Sequence, residues 1–389
     1  MNEKRETLKI SPLADEWGSS KGGISTLNRE LCKGLAQQPN VVVTLVVPRY
    51  DEKEKQAALE HNVHLAAPDS VVPGYDSVAM LAYPPADLAI DVVIGHGRKL
   101  GPHASVLAIQ KRYKRVHIVH TASEQIAMYK NKAQAIAEGD RKHQEEVELS
   151  RTADVVVGIG PKLTENIKFS LRPYSKDQGV LNLTPGIFSE FSELPQASEE
   201  RESFYTLVFG RGDYEDFELK GYDIAAKAVA GLKDKSYQLV FVGAPEGEEE
   251  KVTDNLLECG ISRSQLRVRG FRESREMLGQ LFCEADLAIM PSRTEGFGLA
   301  ALEALSAGLP ILVSDNSGLG KALAGIAFGA SSVVYSDEHE EWGEAIRRVR
   351  KKPRAIRLEE ARELRSRYDQ RFKWQDQCAA LVDKIRHVL

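Results

Sequence analysis

The sequence predicts an α/β protein made of two doubly wound parallel-sheet domains facing each other across a cleft. Three observations lead to this. Short β-branched runs alternate with helix-like segments through the first half; the pattern breaks near residue 190; it then restarts on the same plan. Such alternation puts helices on both faces of a parallel sheet.

The elements follow in order. Leu8-Lys9-Ile10 leads into a polar loop with Gly22-Gly23 and then a helix over about Thr26 to Gln37. Val41 to Val47 is a β-branched run of the kind that forms a strand buried on both faces. Asp91 to Gly95 and Val116 to His120 are two more, separated by a helix from about His103 to Lys114. A polar helix over about Glu138 to Ser150 precedes the strand Asp154 to Ile159. Residues 191–203 are acidic, Ser-rich and broken by Pro195, the composition of an interdomain linker. This makes 1–190 one domain and 204–370 the next. In the second, strands are expected at Tyr205 to Phe209 and Gln238 to Val242. Helices are expected at Tyr222 to Ala230, Glu248 to Cys259 and Ser274 to Cys283. Ala285 to Pro291 and Leu309 to Ser314 are two further strands, and beyond Val333-Val334-Tyr335 the chain is helical and charged.

Composition narrows the function. The chain has 389 residues, 42% hydrophobic and 28% charged, as in soluble globular proteins. A net charge of −5 gives no reason to expect a nucleic-acid partner. No run reaches the roughly 20 apolar residues of a membrane span, and Met1 to Glu6 lacks the apolar stretch of a signal peptide. Cys32, Cys259, Cys283 and Cys378 are scattered, which suits a reducing compartment, so the expected location is cytoplasmic. The basic runs Lys111 to Arg115 and Arg347 to Arg354 read as solvated helix ends, with peripheral membrane contact as the alternative.

The chemistry concentrates in Ser292-Arg293-Thr294-Glu295-Gly296-Phe297-Gly298-Leu299-Ala300-Ala301-Leu302-Glu303. It lies between a strand and a helix, where ligands bind in open α/β sheets. Glycine at such a turn lets backbone amides approach a phosphate, and the helix start adds partial positive charge. Glu295 alone is explained as a helix-start charge. Glu303 sits two turns into the helix among alanines and leucines, where an unpartnered carboxylate is costly; a pair of ribose hydroxyls would satisfy it. Arg211 and Lys220 flank the loop after the strand at 205–209, where two cations suit a diphosphate, or else pair with Asp213, Glu215 and Asp216. Those acids are read as a surface loop, and no metal site is expected. Gly22 and Gly23 offer a second phosphate-facing turn. His96, Arg98, His120 and Thr121 lie at or just beyond strand ends, where a lone histidine is more often structural than catalytic.

Together these residues resemble the retaining glycosyltransferases of family 4, which adopt the GT-B fold of two Rossmann-like domains. Glu295 and Glu303, with Gly296 to Leu299 between them, are similar to that family's Glu-x7-Glu signature, and Arg211 and Lys220 to its cation pair. The resemblance implies that Glu295 contacts donor-sugar hydroxyls, Glu303 the ribose, and the amides of Phe297, Gly298 and Leu299 the β-phosphate. It implies that Arg211 and Lys220 hold the diphosphate, that Gly22 and Gly23 lie beside it, and that His120 lies near the reacting sugar. His96, Arg98 and Thr121 then fall on the acceptor side, with the Ala67 to Pro85 loop facing the acceptor. Residues 371–389 would form a helix crossing back to the first domain. A UDP- or GDP-sugar would be the co-substrate, with an unidentified acceptor, no cofactor and no metal. Two segments depart from the pattern. Lys220 follows Arg211 by nine positions, farther than is usual, and Asn316-Ser317-Gly318-Leu319-Gly320-Lys321 ends on lysine where the family often has glutamate. The alternatives are a nucleotide-sugar sensing module of the same fold, or an epimerase or phosphorylase of this architecture.

Overall fold

The computed structural model describes residues 6–18, 22–70, 73–74, 76–270 and 274–389. It forms two compact units. The first comprises Met1–Ala122, Arg141–Pro185 and Phe372–Leu389; the second comprises Ser123–Asp140 and Gly186–Arg371.

The first unit contains a seven-stranded parallel sheet. Its strands are β1 (Leu8–Pro12), β2 (Val41–Val46), β3 (Val63–Ala66), β4 (Val92–His96), β5 (Lys114–Val119), β6 (Val155–Ile159) and β7 (Leu181–Leu183), in the order β3-β2-β1-β4-β5-β6-β7. The central strands are runs of Val and Ile because helices cover both faces. The helices of this part of the chain are α1 (Gly23–Ala36), α2 (Glu52–Leu59), α3 (Gly97–Lys111), α4 (Ser123–Ala127), α5 (Ala135–Arg151) and α6 (Gly160–Leu171). Under α3, Leu100, Ala104 and Leu107 pack on Leu13, Val46 and Val93. Under α6, Ile167 and Leu171 pack on Val119, Val147 and Val156.

The second unit repeats the plan with six parallel strands: β8 (Phe204–Phe209), β9 (Tyr237–Ala244), β10 (Leu266–Gly270), β11 (Leu287–Met290), β12 (Ile311–Ser314) and β13 (Val333–Val334), in the order β10-β9-β8-β11-β12-β13. Its helices are α7 (Tyr222–Gly231), α8 (Glu249–Glu258), α9 (Arg275–Glu284), α10 (Leu299–Ser306), α11 (Gly318–Ala324), α12 (His339–Arg350) and α13 (Arg354–Arg371). Phe204, Leu239, Phe241, Leu287 and Ile289 pack with Ile224, Val229, Trp342 and Ile346 in its core. In both sheets the strand order reverses once, at β1/β4 and at β8/β11. The loops leaving the carboxyl ends of such a strand pair form the ligand crevice of open α/β sheets.

The last helix, α14 (Trp374–Val388), completes the first unit. Cys378, Leu381, Val382 and Ile385 are buried on it. Gln38 Nε2 donates to Gln375 O (3.2 Å) and Thr184 N to Gln377 Oε1 (2.9 Å). A β-carbon on Gly34 of α1 would lie 2.6 Å from Cys378 Sγ, so the two helices require glycine there.

Three sequence expectations change. The first domain does not run unbroken over 1–190: residues 123–140 belong to the second unit, and that unit resumes at Gly186. The cause is polar anchoring, with Lys130 Nζ 3.1 Å from Asp216 Oδ1 and Asn131 N donating to Glu215 O. The 191–203 segment is fastened to the second unit instead of hanging as a linker. Arg354 and Arg357, both fully buried, need acceptors and take Ala197 O (2.7 Å) and Glu200 Oε1 (2.8 Å), alongside Asp286. Of the Ala67 to Pro85 loop, residues 71, 72 and 75 lie outside the described residues, whereas Leu81 is buried in the core beneath α3.

Candidate active site

In the second unit the candidate residues follow from the strand order. Arg211 and Lys220 lie on the loop after β8, and Glu295 on the loop after β11, so both loops leave the switch pair. Lys220 Nζ meets Glu295 Oε2 at 2.7 Å. The extra residues between Arg211 and Lys220 form a short 3-10 turn, Tyr214–Asp216, and Lys220 N donates back to Asp216 O (2.9 Å). The longer loop therefore still delivers the lysine to the acidic motif. Gly221, at φ 67°, makes this turn, and a β-carbon there would strike the Pro291 carbonyl at 2.0 Å. Burial alone would lower the Lys220 pKa, but Glu295 and Asp216 outweigh it and the net shift is upward. Lys220 is thus held as a cation. Arg211 is exposed and has no ion pair to a described residue.

The acidic loop is fixed by backbone and by a side chain that the sequence did not reveal. Glu295 N donates to Asn316 O (3.1 Å), Gly318 N to Gly296 O (3.1 Å) and Leu319 N to Phe297 O (2.8 Å). The Asn316–Lys321 segment, which departs from the family pattern, serves here as the backing of this loop. Its Lys321 pairs with Asp315 at 3.8 Å. Arg293 makes a two-pronged ion pair with Asp223 at 2.9 Å on each oxygen, which ties the start of the loop to α7. Neither partner stands out in the sequence, since 70 residues separate them.

Gly298 caps α10 at φ 105°. A β-carbon at this residue would lie 2.4 Å from Cε at the tip of the Met290 side chain, which would have to move aside, but it is the left-handed backbone conformation that requires glycine. The first amides of α10, from Leu299 onward, have no intrahelical acceptor, as at every helix start. Phe297 is buried and anchors the turn.

Glu303 departs from the expectation. It sits one turn into α10, not two, and it is not waiting unpaired for a diol. Arg275 Nη1 donates to Glu303 Oε1 at 2.5 Å and Arg275 Nη2 to Glu190 Oε1 at 2.5 Å. The guanidinium also lies 4.5 Å from the Phe191 ring centroid. Burial would lower the Arg275 pKa, yet Glu303 and Glu190 raise it. Arg275 is thus a member of the site that sequence reasoning missed, because only folding brings α9 against α10.

In the first unit, Gly22 (φ 104°) caps α1 and Gly23 is its first residue. His96 is the last residue of β4 and His120 directly follows β5. His96 Nδ1 and His120 Nε2 are 2.9 Å apart, with ring planes at 34°. Burial, reinforced by the neighbouring histidines, pushes both rings to low pKa, His120 to about 3, so both are neutral. His96 was expected on the acceptor side; it has no exposed surface, and its Nδ1 contacts His120. Arg98 lies 3.8 Å from Glu145 and 3.9 Å from Glu146, and Thr121 is half-buried beside His120. Among the described residues, the three-membered acidic and imidazole group is Glu338, His339 and Glu340 on and beside α12, apart from these side chains. A cavity of about 860 Å³ in the second unit, lined by residues such as Leu312, Arg348, Val349 and Leu364, includes none of the candidate residues.

A profile described as "Family 4 Glycosyltransferase in conflict systems" matches residues 12–381. The chain belongs to this glycosyltransferase family. Its curated relatives include the D-inositol 3-phosphate glycosyltransferase of Rhodococcus erythropolis, 28% identical over 43% of this chain and 38% of that protein. The enzyme of the same name from Streptomyces avermitilis is 29% identical over 58% of this chain and 51% of its own length. The matched region therefore spans about two-fifths to one-half of these relatives. Among solved structures, the sucrose-phosphate synthase of Thermosynechococcus elongatus superposes with a TM-score of 0.72 at 19% identity, covering 98% of this chain and 99% of that one. Anabaena HepE in complex with UDP and glucose gives 0.68 at 16% identity, covering 97% and 99%. The family 4 glycosyltransferase described here thus has the GT-B fold, and no helix among its described residues is long and apolar enough to cross a membrane.

Proposed function

We propose that this family 4 glycosyltransferase moves a sugar from a nucleotide-sugar donor to a hydroxyl acceptor with retention of anomeric configuration. The observation that carries the reading is the Lys220–Glu295 contact of 2.7 Å at the β8/β11 switch pair, one loop away from the start of α10. A cation, a carboxylate and a row of helix-start amides match a diphosphate joined to a polyol. Glu295 takes sugar hydroxyls, and the amides of Phe297, Gly298 and Leu299 take the β-phosphate. Arg211 and Lys220 neutralise the diphosphate. Glu303, oriented by Arg275, takes the ribose. Gly22, Gly23 and His120 act as the resemblance assigns them. UDP-glucose is the first donor to try, because UDP and glucose occupy the HepE neighbour.

In the reaction, the bond between the anomeric carbon and the β-phosphate oxygen breaks, and the acceptor oxygen bonds to the same face of that carbon. The acceptor's proton passes to the departing phosphate oxygen. The protein's work is then to stabilise charge on the leaving group, and a positioned donor of that kind is worth about 3 kcal/mol of barrier. The reading requires no cofactor and no metal.

The test is a thermal-shift panel with UDP-glucose, UDP-N-acetylglucosamine, GDP-mannose and the free nucleotides. A ligand at roughly 100 times its Kd stabilises by about 2.7 kcal/mol, a visible shift. One base class should stabilise the wild type and lose its effect in Lys220→Ala. If no nucleotide shifts the protein, the donor reading fails. Donor hydrolysis that no acceptor accelerates would instead indicate a sensing module.

A further inference from the structure

We propose that His96 is a positioning residue that fixes the tautomer of His120, so that His120 presents Nδ1–H as a hydrogen-bond donor to its ligand. This rests on the donor reading only for the identity of that ligand, a sugar oxygen.

The argument begins with proton counting. Both rings are neutral, so each carries one N–H, and the 2.9 Å contact between His96 Nδ1 and His120 Nε2 holds one of the two protons. His96 Nε2 is buried and has no hydrogen-bond partner among the described residues. A buried N–H without an acceptor is rarer and costlier than a buried lone pair without a donor. Nε2 of His96 is therefore the bare nitrogen, and the His96 proton sits on Nδ1 and points at His120. Nε2 of His120 accepts it, which leaves the His120 proton on Nδ1. That nitrogen makes no hydrogen bond to a described residue.

The surroundings hold this arrangement. His96 closes β4 and His120 directly follows β5, and the two strands pair in register at His96 and Ile118, which fixes the backbones that carry the two rings. His117, three residues before His120, is tied to Glu146 by a 2.6 Å contact at Nε2 and makes no hydrogen bond to either ring. A histidine without this support would interchange tautomers and offer the sugar a donor only part of the time.

The full chain, labelled with ¹⁵N-histidine, allows the protonated nitrogen to be read directly by long-range ¹H–¹⁵N correlation, with His120→Gln assigning the signal among the nine histidines. The expected wild-type pattern is a protonated Nδ1 and a bare Nε2 for His120. His96→Asn, whose amide puts an N–H close to the lost Nδ1–H, should keep that pattern. His96→Phe should give mixed tautomers. In turnover of the donor found by the thermal-shift panel, His96→Phe should fall about tenfold, the scale of one lost hydrogen bond. His96→Asn should recover most of that loss, with free-nucleotide affinity the same in all three. A protonated Nε2 on wild-type His120 overturns the proposal, and this holds even if His96→Phe fails to fold. The expected tautomer in a protein that binds no nucleotide sugar would uphold the positioning role and sink the donor reading.

Discussion

At the scale of single residues, the candidate site is governed by how its carboxylates are paired. Glu303 shares Arg275 with Glu190, and the guanidinium is one-fifth exposed. Arg275→Ala leaves two acids facing one another without their common cation. It should cost about 1.5–3 kcal/mol in urea unfolding, the range for hydrogen bonds to charged groups. It should also weaken nucleotide binding by freeing Glu303 to turn. An unchanged denaturation midpoint would show that Glu303 is held by something else. Asp223 offers a pH test. Burial would raise its pKa, but the two hydrogen bonds from Arg293 outweigh this and leave it depressed. A depressed carboxylate contributes stability that is complete above its unfolded value, about 3.9, and is lost as pH falls through the folded value. The stability gap between wild type and Asp223→Asn should therefore be constant from pH 7 to about 4 and close below that. A gap that instead closed between pH 7 and 5 would exclude Asp223 as the source.

At the scale of elements, the strand–loop–helix unit from β11 to α10 depends on Gly298. Alanine there must adopt φ near 105° and push against Met290. About 1–2 kcal/mol is expected for the backbone alone, with a larger loss in nucleotide-sugar affinity because the phosphate-facing amides turn with it. Calorimetric unfolding and ligand titration on the same variant separate the two effects; a stable variant with wild-type affinity would remove these amides from the site. This unit was legible in the sequence because its signals are local: two apolar runs, glycines between them, and acids at fixed spacing. Elements whose identity depends on neighbours were not. The edge strands β3, β7 and β10 escaped notice, and β10 reads Leu-Arg-Val-Arg-Gly, since an edge strand tolerates charge that a central strand does not. Residues 191–203 have a linker's composition, yet Arg354 and Arg357, more than 150 residues later, capture them. The pairing of His96 with His120 was equally hidden, because each appeared as a lone histidine at the end of its own strand.

At the scale of the whole molecule, the two units have separate sheets and separate cores, and the first includes residues from near the end of the chain. Three or four fully buried side chains on α14, at about 1.5–3 kcal/mol each, amount to a large part of the 5–15 kcal/mol that holds a typical domain folded. A chain stopped at residue 371 should therefore leave 1–122 and 141–185 sensitive to protease while 186–371 resists. Limited proteolysis with mass spectrometry would show this, and equal resistance of both regions would contradict it. The alternating pattern made both sheets visible from sequence, but the contribution of α14 came from packing against Gly34 that no spacing rule could have shown.

That placement of α14 also sets an order of events during synthesis. The ribosome makes the strands of the first unit early, but the helix that completes its core emerges only after the second unit has been translated. The part made first is thus finished last, and its apolar α1 face has to be kept from other chains throughout that interval.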